Sequence, residues 1–79
     1  MLEHLDIRLI KVFRKVLELD HDVINTSMRI KDTKNWGGLN HRILLEEIEK
    51  EFDINFDFNE IDTLINYKII RATVGSLID

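Results

Sequence analysis

Proline is absent from this chain, and its only glycines are Gly37, Gly38 and Gly75. With so little to punctuate strands and tight turns, the backbone defaults to helices. From Leu2 to Leu19 the apolar residues fall at Leu2, Leu5, Leu9, Val12, Val16 and Leu19, with Ile10, Phe13 and Leu17 beside them. Spacings of three and four draw one wide apolar stripe, which predicts an amphipathic helix. Arg8, Lys11, Arg14, Lys15 and Glu18 take its remaining face.

Residues 20–37 carry no sustained period. Asp20, Asp22, Asn25, Thr26, Ser27, Asp32, Thr33 and Asn35 offer side chains that compete with helical hydrogen bonds. A structureless loop of this length is uncommon in a small domain. Pinning by Val23, Ile24, Met28, Ile30 and Trp36 is therefore expected, with room for a short helical turn. A second helix is predicted from Leu39 to Phe52. Its inner stripe is Leu39, Leu44 or Leu45, Ile48 and Phe52, and its water-facing residues are Glu46, Glu47, Glu49, Lys50 and Glu51. Gly37-Gly38 marks its start, with Asn40 as an alternative cap.

Ile54, Phe56 and Phe58 alternate with polar residues. With no second strand to pair with, an extended connector turning all three inward is expected. Asn59 with Asp62 resembles a capping box and predicts a third, short helix to about Asn66. Tyr67–Ala72 reads either way, and Thr73 looks like the cap of a last short helix, Val74–Ile78. The expected fold class is all-α: a small four-helix bundle of long helix, long loop, second helix and two short helices, in one domain spanning 1–79.

Composition narrows the function classes. Eleven Lys and Arg against fifteen Asp and Glu give a net charge of −4. That balance argues against nucleic acid, whose phosphates call for clustered cations. No apolar run nears the roughly 20 residues that cross a bilayer. Met1-Leu2-Glu3-His4-Leu5-Asp6 lacks the order of a signal peptide, so a cytoplasmic location is expected; a monomer is the default expectation, with oligomeric state left open. The absence of cysteine excludes disulfides and thiolate chemistry. His4, His21 and His41 are scattered, without metal-ligand spacing, and read as surface or half-buried side chains. The carboxylates read as solvated helix faces, and Gly37-Gly38 lacks the lysine of a phosphate-binding loop. No catalytic constellation is visible, and the expectation is a protein that is not an enzyme.

One stretch stands out. Trp36-Gly37-Gly38-Leu39-Asn40-His41 runs into Arg42-Ile43-Leu44-Leu45-Glu46-Glu47-Ile48-Glu49-Lys50-Glu51-Phe52-Asp53-Ile54. This order resembles the acyl carrier protein family, in which an Asp-Ser-Leu triplet opens the second helix. In many members Trp precedes that triplet and Asn-His follows it. The resemblance extends over most of the chain, to the closing Thr73-Val74-Gly75-Ser76-Leu77-Ile78. It implies a bundle of acyl-carrier type that tethers acyl groups as thioesters on a 4′-phosphopantetheine arm, as in fatty-acid, polyketide or related synthesis. A helix N-terminus suits the arm's phosphodiester, because its free N–H groups and dipole favour an anion. The implied partners are a phosphopantetheinyl transferase and acyl-transferring or synthase enzymes, met through Leu39, Arg42, Glu46, Glu47, Glu49 and Lys50. An acidic second helix steers basic partners while keeping contact brief. The family's acyl pocket would draw here on Leu44, Leu45, Ile48, Phe52 and Ile61, which also read simply as core.

The chain departs from the family where the arm attaches. Alignment on Trp36 and Leu39-Asn40-His41 puts the usual Asp at Gly37 and the usual Ser at Gly38. Glycine has no hydroxyl, so no phosphodiester forms there. Ser27 lies about eleven residues too early and Ser76 in the last helix. Glu46 stands where members commonly carry an apolar residue, and Lys50 interrupts the acidic run. Two expectations follow: a carrier scaffold that docks without loading, or a non-carrier helical interaction or regulatory module using the acidic face.

Overall fold

The apolar stripe of the first segment becomes α1 (His4–Leu17), and the acidic segment becomes α2 (Gly38–Phe52). The structure, a computed structural model, describes residues 4–20 and 25–78. A third helix, α3, runs Tyr67–Leu77, and 3-10 helices occupy Ile30–Asp32 and Phe58–Thr63. Among the described residues there is no strand, only an isolated antiparallel bridge between Arg29 and Asn66. The all-α expectation holds at that level.

α1 lies mainly against α2 and touches α3 along a shorter stretch. Leu9, Phe13 and Leu17 meet Leu44 and Ile48 of α2 and Tyr67, Ile70 and Val74 of α3 in a core where all eight are fully buried. Phe13 stands at its centre, edge-on to Trp36 at 5.1 Å and tilted against Tyr67 at 5.4 Å. Truncating a buried aliphatic here removes about 2–5 kcal/mol, because the void closes only in part.

The loop is pinned as expected at Met28 and Trp36, both buried, and at Ile30, which is half-buried. The expected turn is the Ile30–Asp32 3-10 helix. Val23 and Ile24 lie outside the described residues. Two backbone bonds fix the loop to the far end of the chain: Ile30 N–H to Ile65 O at 2.8 Å, and Tyr67 N–H to Met28 O at 2.9 Å.

Five local expectations are corrected. The third helix is a 3-10 helix capped by Asp57, whose carboxylate accepts from the Asn59 N–H, so Asn59 is not the cap. It stops at Thr63 because Leu64 leaves helical dihedrals to bring Ile65 and Tyr67 to the loop. The last helix begins at Tyr67, six residues before Thr73: the Asn66 side chain accepts from the Ile69 N–H at 2.8 Å. Thr73 is interior and returns its hydroxyl to Ile69 O. Of the connector residues Ile54 is buried and Phe56 half-buried, but Phe58 is 85 % exposed, since the 3-10 helix starts there and breaks the alternation. At the head of α2, Asn40 is not a cap either; its amide donates to Asn35 O at 2.9 Å.

Candidate docking face and groove

The head of α2 is built by its own sequence neighbours. Gly37 is the N-cap, in extended backbone, and Gly38 begins the helix at φ +52°, in the left-handed region. Gly38 is thus the first helical residue rather than the cap. No side chain caps the helix, and a Cβ on either glycine would meet nothing within 4 Å. Asn35 anchors this corner to α1, its amide donating to Leu17 O at 2.8 Å. Trp36 sinks into the core beside Phe13, and its indole N–H donates to His41 Nδ1 at 3.0 Å. The glycines therefore sit at an open corner whose preceding residues, Asn35 and Trp36, are tied to the core.

From that corner runs an exposed strip of α2. Leu39 is 71 % exposed, so its place in the expected inner stripe is wrong: a residue one turn before Ile43 shares that residue's outward side. Ile43, Arg42, Glu46 and Lys50 are exposed with it. The acidic residues behave less uniformly than their sequence suggests. Glu47 is half-buried between the Lys15 and Lys50 ammoniums, at 3.9 and 4.0 Å. Glu49 turns away to accept the Phe56 backbone N–H at 2.8 Å, bracing the connector. Glu51 binds Arg8, whose guanidinium also donates to Glu51 O and lies 4.4 Å above the Phe52 ring. Glu46 alone of the four has no ion-pair or hydrogen-bond partner among the described residues. Exposed pairs of this kind contribute little to stability, but they neutralise the face locally. Leu39, Arg42, Glu46 and Lys50 thus share the exposed strip, Glu47 edges it, and Glu49 does not reach it.

Beside the strip lies a shallow groove of about 180 Å³, between α2 and residues 56–61. Leu45, Phe56 and Ile61 give it an apolar floor, and Arg42, Glu46 and Glu49 a charged rim. Of the five residues expected to line an acyl pocket, it takes Leu45 and Ile61. Leu44 and Ile48 are closed in the core, and Phe52 faces the α1 side beneath Arg8. Phe56, expected to turn inward but not named among the pocket residues, completes the floor because the connector folds back along α2.

His4 is exposed, His41 is half-buried on Trp36, and His21 lies outside the described residues. No group of three His, Asp or Glu among the described residues is placed to hold a metal ion. No helix among them is long and apolar enough to cross a membrane. No family model matches the chain, and no curated protein matches it.

Proposed function

We propose that this chain is a docking scaffold of the acyl carrier type, a small bundle that meets carrier-handling enzymes through the head and strip of α2 but does not load the arm. The observation that carries the reading is the open corner at Gly37-Gly38. It falls between Trp36 and Leu39-Asn40-His41, uncrowded, at the start of an exposed helix, with an apolar-floored groove alongside. The residues present do not fit 4′-phosphopantetheine. Gly38 offers no hydroxyl, Ser27 sits in the 25–28 turn with its N–H on Asn25, and Ser76 lies on the exposed side of α3. What the face supplies is recognition: Leu39 and Ile43 as apolar contacts, Arg42, Glu46 and Lys50 as charges of both signs.

The test is intact mass after incubation with coenzyme A and a broad-specificity phosphopantetheinyl transferase. The unaltered chain is run beside a Gly37→Asp/Gly38→Ser variant whose helicity is checked by circular dichroism. The reading expects the arm on the variant alone. A gain by the unaltered chain overturns the vacated-site assignment, and a folded variant that stays unloaded overturns the carrier reading.

The second reading, a non-carrier interaction or regulatory module, is favoured by one observation. Glu47, Glu49 and Glu51 are engaged within the fold, so the strip presents mixed charge rather than an acidic surface. Stoichiometric, persistent binding to one non-synthase protein, with no binding to synthase components, distinguishes it.

A further inference from the structure

Trp36 is the only tryptophan in the chain and is 5 % exposed. An indole N–H can only donate, and this one donates to His41 Nδ1 at 3.0 Å. The bond requires Nδ1 to be without a proton, so the neutral ring carries its proton on Nε2. Nε2 lies 3.5 Å from the Ile61 carbonyl oxygen. One imidazole therefore joins three pieces: the segment leading into α2, the first turn of α2, and the 3-10 helix that walls the groove.

We propose that His41 is a pH-responsive latch, its neutral ring holding Trp36 and the Ile61 wall to the head of α2 and its protonation releasing them. A proton taken from solvent at Nδ1 turns the acceptor into a donor, so two N–H groups face each other. The two facing donors repel and the ring turns away, which leaves the buried indole without an acceptor and favours its release toward water. Turning the ring also swings Nε2 from Ile61, and the groove wall loosens in the same event. The ionisable residues flanking the three joined positions are Asp32 and Lys34 before Trp36, Arg42 beside His41, and Glu60 and Asp62 beside Ile61, all of them exposed. Farther along α2, Glu46 and Glu49 rim the groove that Ile61 walls, and Glu47, Lys50 and Glu51 follow them; none of these ten is bonded to the ring. Phe13, the α1 residue against Trp36, brings no charge. Both partners of the ring are thus neutral, and its own proton decides the joint. The latch rests on this geometry alone and is independent of the carrier reading.

The test is NMR on the full chain, labelled with 15N and at the isoleucine methyls. It is titrated from about pH 8 to about pH 5, where histidine ordinarily changes charge. The proposal expects the Trp36 indole resonance and the Ile61 methyl to shift together, with the midpoint of the His41 ring. In His41→Gln, whose amide oxygen accepts from the indole at every pH, both shifts are lost. An indole resonance that stays still while His41 titrates overturns the latch. So does a His41 ring that stays neutral throughout, or the same shifts in the glutamine variant. Should that variant not fold, agreement or disagreement of the midpoints in the unaltered chain decides.

Discussion

The Tyr67 hydroxyl donates to Asp6 Oδ1 at 2.6 Å, although 61 positions separate the two residues. Asp6 lies in the first turn of α1, Tyr67 opens α3, and Arg71 one turn later donates to the same oxygen at 2.7 Å. A buried carboxylate persists only where such donors replace water. Here they fasten the N-terminal helix to the C-terminal one. Tyr67→Phe removes the hydroxyl while Asp6 keeps Arg71. A hydrogen bond to a charged acceptor contributes about 2 kcal/mol, so urea unfolding should show a loss of that size. Asp6→Ala should cost more, about 3 kcal/mol, because it removes both bonds and leaves the buried Tyr67 hydroxyl without its acceptor.

The same contact predicts an alkaline limb. Burial first, then the hydrogen bond to Asp6 and that residue's negative charge, push the Tyr67 phenol well above its ordinary 10.0, against a smaller opposing pull from Arg71. A raised value in the fold means the unfolded chain releases this proton first. The contribution is whole below about pH 10 and is lost as pH climbs from there through the raised value. Melting temperature should therefore fall more steeply above about pH 10 in the unaltered chain than in Tyr67→Phe. Tyr67 is the only tyrosine, so phenolate absorbance reports its titration directly.

Asn66 holds the start of α3, its side chain accepting from the Ile69 N–H. Asn66→Ala should cost about 1 kcal/mol, while Asn66→Asp, which keeps the acceptor, should leave stability nearly unchanged. Thr73→Ala, at the position the sequence suggested as the cap, should change it by no more than about 0.5 kcal/mol. Thermal unfolding of the three variants separates the two cap assignments.

That ordering shows where the sequence was legible. Leu9, Val12, Phe13 and Leu17 on α1, and Leu44, Ile48 and Phe52 on α2, follow from helical period alone, and all are buried. Asn66 was missed because Thr73 offers an equally good local cap; the choice is made by Tyr67, whose partner lies on α1. Asp6 gave a signal that went unused, an acidic residue inside the apolar stripe, three before Leu9 and seven before Phe13. At the candidate site, the exposure of Arg42, Glu46 and Lys50 follows from helical phase. The engagement of Glu49 and Glu51 does not, since Phe56 N–H and Arg8 reach them only through tertiary packing. A buried tryptophan needs an acceptor for its N–H, and that rule alone could have directed attention to His41.

Phe58 and Ile54 share one alternating pattern and have opposite environments, 85 % and 8 % exposed. Phe58→Ser should therefore change unfolding free energy by less than about 0.5 kcal/mol. Ile54→Ala should cost about 2–4 kcal/mol, through the cavity it leaves beside α2. Chemical denaturation of both variants reads the difference.

The two adjacent glycines at the head of α2 should respond with opposite signs. Gly38 sits at φ +52°, where a Cβ crowds the following carbonyl, and with no neighbour within 4 Å the strain is the backbone's own. Gly38→Ala should cost about 1 kcal/mol in urea unfolding. Gly37 is extended and is an N-cap without a side chain, so Gly37→Asp meets no strain and supplies an acceptor for the first free N–H groups. It should stabilise by a few tenths of a kcal/mol, and by more at low salt, where the carboxylate also meets the helix dipole. A Gly38→Ala variant as stable as the unaltered chain would mean that the corner relaxes to ordinary helix once a side chain is present.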